Sequence, residues 1–154
     1  MLSRQEIEQH LKNPNVRKML GVIASAEGVK HGYNTMFGNE RLSDLSKHPG
    51  ILKEFTQTDG KKNKTSAAGR YQFLEPTWNG LAKQLGLKDF SPKSQDIAAV
   101  ALLAQNGALP HVLKGDIPTA VKKSGGTWAS LPSAPDSYKQ PKKTWSDIGM
   151  SGST

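Results

Sequence analysis

The chain has 154 residues with 21 Lys and Arg against 13 Asp and Glu, giving a net charge of +8 and a sequence pI near 9.7. That length suits one domain with its own core, and the lack of cysteine excludes a disulfide framework, a thiol nucleophile and a cysteine-ligated metal site. Mean hydropathy is −0.57 and no apolar run approaches the roughly 18 residues of a membrane span, so the reading is a soluble domain; acids near the N-terminus leave no Sec-type export signal to be seen. The positive charge favours an anionic partner, with nucleic acid, a membrane surface and an acidic polysaccharide all eligible.

Ser3 and Glu6 have capping-box spacing, which predicts a short helix ending near Lys12, before Asn13-Pro14. A second helix is expected from Pro14 to Gly28, with Val16, Met19, Leu20 and Ile23 as its apolar stripe. From His31 to about Gln72 glycines punctuate short extended pieces, Tyr33 to Phe37, Ile51 to Thr56 and Tyr71 to Phe73, which predict a small irregular antiparallel sheet. The polar, basic run from Asp59 to Ser66 is expected as an exposed loop. Helix returns with Pro76 in a first turn and Gly86 as a stop, then with Ser91-Pro92 opening a nearly all-apolar central helix that runs to about Gly107. Two shorter helices are expected at 109–114 and 117–123, followed by a tail that is loosely ordered from about Lys139. The whole of 1–154 therefore reads as a single α+β domain, with a cleft where sheet meets helices.

Glu27 is the anomalous residue. On the helical wheel it continues the stripe of Val16, Met19, Leu20 and Ile23 in place of an apolar side chain. Desolvation and the negative end of the helix both disfavour its anion, which raises its pKa and suits a general acid; the alternative is a frayed helix end with Glu27 exposed. Asp44, Glu54 and Asp59 lie in or near the expected sheet, where one of them is eligible as a second carboxylate. His31 is four residues beyond Glu27 and is eligible to line the same cleft, but the four histidines lack metal-binding spacing and no metal or cofactor is expected. Nucleophile-elbow, Walker and dinucleotide fingerprints are absent, and no aromatic-interleaved basic motif points to nucleic acid. Gly69-Arg70-Tyr71-Gln72 offers stacking and amide hydrogen bonding suited to sugars, or else a strand with Tyr71 and Phe73 in the core.

Glu27-Gly28, His31-Gly32-Tyr33, Gly69-Arg70-Tyr71-Gln72, the run from Lys83 to Asp96, and Trp128-Ala129-Ser130-Leu131-Pro132 stand in an order that resembles the lambda-type endolysin family of murein lytic transglycosylases. The resemblance spans about residues 16 to 140. It implies a lysozyme-like α+β fold and cleavage, without water, of the β-1,4 bond between N-acetylmuramic acid and N-acetylglucosamine, leaving 1,6-anhydro ends. It implies Glu27 as the catalytic acid, and Tyr33, Arg70, Tyr71, Gln72 and Tyr138 as substrate-binding residues. It further implies peptidoglycan strands as the partner, a monomer made in the cytoplasm, and release to the wall through a separate membrane-permeabilising holin. The chain departs from the family in having only Gly28-Val29-Lys30 between Glu27 and His31, and in a tail unlike the family's helical ending, with Trp145 unassigned. The remaining readings are a hydrolytic muramidase in which Asp44 or Asp59 assists water, and a non-catalytic basic wall- or nucleic-acid-binding module. Lys61, Lys62, Lys64, Lys142 and Lys143 are the candidates for holding an anionic wall, or are solvated surface charge.

Overall fold

The computed structural model describes residues 2–150. Ser3 caps α1 (Arg4–His10): its hydroxyl accepts the Glu6 N–H, and the Glu6 carboxylate accepts the Ser3 N–H. Asn13 caps α2 (Pro14–Glu27), which stops at Gly28, where φ of +68° turns the chain out and the Gly28 N–H closes on the Ala24 and Ser25 carbonyls. The stripe of Val16, Met19, Leu20 and Ile23 is wholly buried.

After α3 (Glu75–Leu85), the helix α4 (Pro92–Gln105) runs through the middle, packed by α1, α2, α3 and then α5 (Leu109–Leu113). After an exposed first step at Pro92 and Lys93, residues 94–101 are buried on every side, the apolar run from Ile97 among them. α6 (Ile117–Ser124) completes the helical part, and Trp78, Phe73, Phe90 and His48 form an aromatic cluster between α3 and the extended region.

The antiparallel part is two ribbons. β1 (Thr35–Met36) pairs with β2 (Glu40–Arg41), and β3 (Lys53–Thr56) pairs with β4 (Lys62–Thr65). Lys53 forms an ion pair with Glu40 that ties one ribbon to the other. Two expectations are corrected here. The basic run from Asp59 to Ser66 is not all loop, because Lys62–Thr65 is β4; a ribbon exposed on both faces carries no apolar alternation to read. Tyr71 to Phe73 is not a strand. Ala68 and Phe73 exchange backbone hydrogen bonds of 3.1 and 2.7 Å, and the residues between them make a tight turn with φ of +87° at Gly69 and +51° at Gln72.

Beyond Lys139, where composition predicts a loose tail, the chain folds back. The Lys143 N–H donates to the Ser130 carbonyl at 2.8 Å, Trp145 packs on the core, and Ile148 is buried. The final Ser-Gly-Ser-Thr lies outside the described residues.

Candidate active site

A cavity of about 290 Å³ opens between the ribbons and the helical part. Glu27 and Val29 form its floor at the end of α2. Phe37, Gly38 and Asn39 come from the β1–β2 turn, Thr65 from the end of β4, and Ala67, Gln72 and Leu74 from the segment that follows it. Thr127 to Ser130, after α6, make the opposite wall, and Gln140 reaches in from the tail.

Glu27 lies where the wheel predicts it, half-buried as a residue, with its Oε2 shut off from solvent and without a hydrogen-bond partner among the described residues. Burial pushes its carboxyl up from the ordinary 4.5 to about 7, against the opposing pull of hydrogen bonding from Ser130 and the positive charge of Lys143. A carboxylic acid that keeps its proton near neutral pH is a general acid in waiting. Glu27 is the only ionisable side chain among the described residues that line the cavity.

The other acids are elsewhere. Asp44 is exposed and accepts the Ser46 N–H, Glu54 is on the outer face of β3 beside Lys62, and Asp59 sits in the β3–β4 turn accepting the Lys61 N–H. His31 is also exposed, at the head of the 3-10 turn Gly32–Asn34, and does not line the cavity.

Of the five expected binding residues, the structure brings Gln72 alone to the cavity wall. Its amide nitrogen donates to the Gly69 carbonyl at 2.9 Å, and its amide oxygen accepts no hydrogen bond from the described residues. Tyr71 is completely buried and cannot touch a glycan; its hydroxyl donates to Asp96 at 2.6 Å. Tyr33 donates to the same carboxylate at 3.0 Å, and Arg17 meets it at 2.7 Å. Arg70 donates to the Tyr71 hydroxyl at 2.6 Å and lies over both tyrosine rings, 5.4 and 5.3 Å from their centres. The motif therefore splits: Tyr33, Arg70 and Tyr71 pin the turn to the core through Asp96, and Gln72 faces the cleft. Tyr138 is outside the cavity, its hydroxyl donating to the Gly126 carbonyl at 2.8 Å, and Gln140 stands at the rim instead.

Phe37, Asn39, Thr127 and Gln140 carry no signal in the sequence, because each is an ordinary residue brought in by a turn or a loop. Ser130 lies in the Trp-Ala-Ser-Leu-Pro block, yet nothing in that block says it lines the same cavity as Glu27. Trp128 fixes this wall by donating its indole N–H to the Tyr71 carbonyl at 3.1 Å.

A single buried acid at a helix end, facing a cleft between two short ribbons and a helical core, defines a lysozyme-like glycan-cleaving enzyme. The family model described as Endolysin matches residues 17–151, and the chain belongs to that family of phage enzymes that lyse the bacterial cell wall. It is 43% identical to the endolysin of Escherichia phage lambda over 129 residues, 78% of this chain and 79% of that one. Identity to the endolysin of Escherichia phage P2 is 34% over 133 residues, 78% of this chain and 81% of that one. Bacteriophage lambda lysozyme, solved in complex with a chitohexasaccharide, superposes with a TM-score of 0.76 at 40% identity, covering 87% of this chain and 89% of that one. A second structure of lysozyme from bacteriophage lambda gives 0.70 at 39% identity, covering 78% and 80%.

Proposed function

We propose that the protein is a lytic transglycosylase that cuts the β-1,4 bond between N-acetylmuramic acid and N-acetylglucosamine. The observation that carries this is the lone carboxyl: among the described residues, Glu27 is the only titratable group lining the cavity. Hydrolytic glycosidases need a second carboxylate, about 5–5.5 Å from the acid when retaining and about 6.5–9.5 Å when inverting. Asp44, Glu54 and Asp59, the candidates for that role, are on exposed segments outside the cavity.

In this chemistry Glu27 donates its proton to the glycosidic oxygen as the bond from C1 to that oxygen breaks. The C6 hydroxyl of the same muramoyl residue then bonds to C1, and its proton returns to Glu27. No water is consumed and the acid is regenerated. An intramolecular nucleophile has a very high effective concentration, which lets it outcompete solvent in a narrow site. The amide oxygen of Gln72, which accepts no hydrogen bond among the described residues, suits the N–H of a sugar acetamido group, which would hold the ring for attack. A glycan occupant is supported by the chitohexasaccharide bound to the lambda lysozyme.

Digestion of purified murein followed by mass spectrometry tests the reading. Products one water lighter than lysozyme products, with no reducing muramic end, are expected; free reducing ends would make the enzyme a hydrolase.

The protein is proposed to act as a monomer on the wall after a separate holin has opened the membrane. Accumulation in host cytoplasm should leave cells intact until the membrane is permeabilised, and lysis without permeabilisation would refute this. The lysines at 61, 62, 64, 142 and 143 are proposed to add affinity for anionic wall polymers. Two of them are partly committed, Lys62 to Glu54 and Lys142 to Asp136, so Lys61, Lys64 and Lys143 should carry most of the effect. Wall binding should weaken as salt rises and the Debye length falls; salt-independent binding would count against the lysines.

A further inference from the structure

Gln72 holds a left-handed backbone, φ +51°, that a residue with a Cβ adopts only at a cost. Such a conformation persists only where neighbours over-determine it: within the turn the Gln72 N–H and amide nitrogen both donate to the Gly69 carbonyl, at 3.3 and 2.9 Å, and from outside, the turn is held by Gln95 on α4. Gln95 is completely buried, a polar side chain in the core. Its Oε1 accepts the Arg70 N–H at 2.8 Å, and its Nε2 donates to the Phe90 carbonyl at 2.8 Å and the Tyr33 carbonyl at 3.2 Å. One amide thus joins the turn, the segment ahead of α4 and the 3-10 turn that leads into β1.

Gly69 shows how closely the two are fitted. A Cβ there would stand 2.5 Å from Gln95 Oε1 and 2.8 Å from the Phe90 ring, so the turn rests directly on that amide. A methionine or leucine would fill the same volume at position 95 more cheaply if packing were the whole purpose.

We propose that Gln95 is a positioning residue for glycan cleavage, acting through the 69–72 turn to hold the Gln72 amide at the cleft wall. The inference rests on the role given to Gln72 above. Loss of the Gln95 acceptor frees the Arg70 N–H, lets the turn relax toward ordinary φ values and swings Gln72 away from the substrate.

A double-mutant cycle on turbid murein suspensions tests it, with fold checked by circular dichroism. Gln72→Ala and Gln95→Met should each lower kcat by about 10- to 100-fold, as misplacement by about an ångström does, with KM changed less than about twofold. Combined, they should be no worse than Gln72→Ala alone, because they remove one effect. Losses that multiply, or a folded Gln95→Met with wild-type kcat, would overturn the proposal. Wild-type kcat in Gln72→Ala would overturn it too, by removing the reading beneath it while leaving Glu27 and the product masses untouched. Should Gln95→Met not fold, Gln95→Glu carries the test: buried there, its carboxyl is held protonated, accepting the Arg70 N–H and donating its one O–H to the Phe90 carbonyl, so kcat within about threefold of wild type is expected, and a loss as deep as that of Gln72→Ala would overturn the proposal.

Discussion

Glu27 joins stability to catalysis through one proton. Its carboxyl has an ordinary pKa of 4.5 and a folded value of about 7, so the native state favours the protonated form. A raised pKa contributes stability that is complete below 4.5 and lost as pH rises through 7. Glu27→Gln should therefore fold, lose lytic activity by about 10³-fold or more, and gain about 1–3 kcal/mol over wild type above pH 7, read by thermal melts across pH. A variant no more stable than wild type at pH 8 would show that Glu27 is not held in its acid form. Lys143 acts on the same proton from the opposite direction, its charge favouring the carboxylate. Lys143→Met should move the alkaline limb of the kcat/KM profile to higher pH, since the acid then keeps its proton longer; an unmoved limb would separate the two residues.

Among the elements, α4 carries the polar pair Gln95 and Asp96 into the core at successive positions. Asp96 accepts from two tyrosines and an arginine while its side chain is only 6% exposed, so removing it orphans buried hydroxyls and part of a charge. Asp96→Ala should cost about 2–4 kcal/mol in denaturant melts, against well under 1 kcal/mol for the exposed Asp44→Ala. The loop before β3 holds a second titrating contact. His48 Nδ1 accepts the Gly50 N–H at 3.0 Å, which fixes the other tautomer and makes Nε2 the donor to the Phe73 carbonyl at 2.8 Å. Burial lowers its pKa from 6.5, against the opposing pull of that carbonyl and of Glu75, so its contribution is present above 6.5 and lost as pH falls through the lowered value. In NMR titrations its imidazole should protonate below 6.5; a higher midpoint would refute the tautomer. Helices were legible because caps and apolar spacing are local: Ser3 with Glu6, and Gly28 and Gly86 as left-handed stops, lie where the sequence puts them. β4 and the 69–72 turn were not, because a solvent-exposed ribbon has no apolar face, and a turn plugged by Tyr71 shows the same apolar spacing as a strand.

At the scale of the whole molecule, the site is assembled from segments that a one-dimensional reading cannot bring together. Glu27 was legible because a helix advertises its own faces. Ser130 and Gln140, over 100 positions later, reach the same cavity only through tertiary packing. The resemblance supplied the motif around Gln72 but not its division of labour, since Arg70, Tyr71 and Gln72 are neighbours in sequence whose side chains serve a buried network and an open wall. Charge is a property of the whole chain. With +8 on the protein, attachment to anionic murein should weaken between about 50 and 200 mM salt, and replacing Lys61 and Lys64 with Gln should flatten that dependence in sedimentation binding assays.

The two banks of the cleft are also joined by main chain alone. The Thr58 N–H, near the head of the β3–β4 turn, donates to the Lys139 carbonyl at 2.8 Å, and four residues later the Lys143 N–H reaches Ser130 on the far bank. A latch built from peptide groups is blind to side-chain identity. Position 58 can accept most amino acids and keep it, and position 139, with φ of +55°, any that tolerate a left-handed backbone, so evolution is free to repaint much of the rim of the cleft for a new wall without unfastening it. One replacement is barred at position 58, because proline has no hydrogen to give.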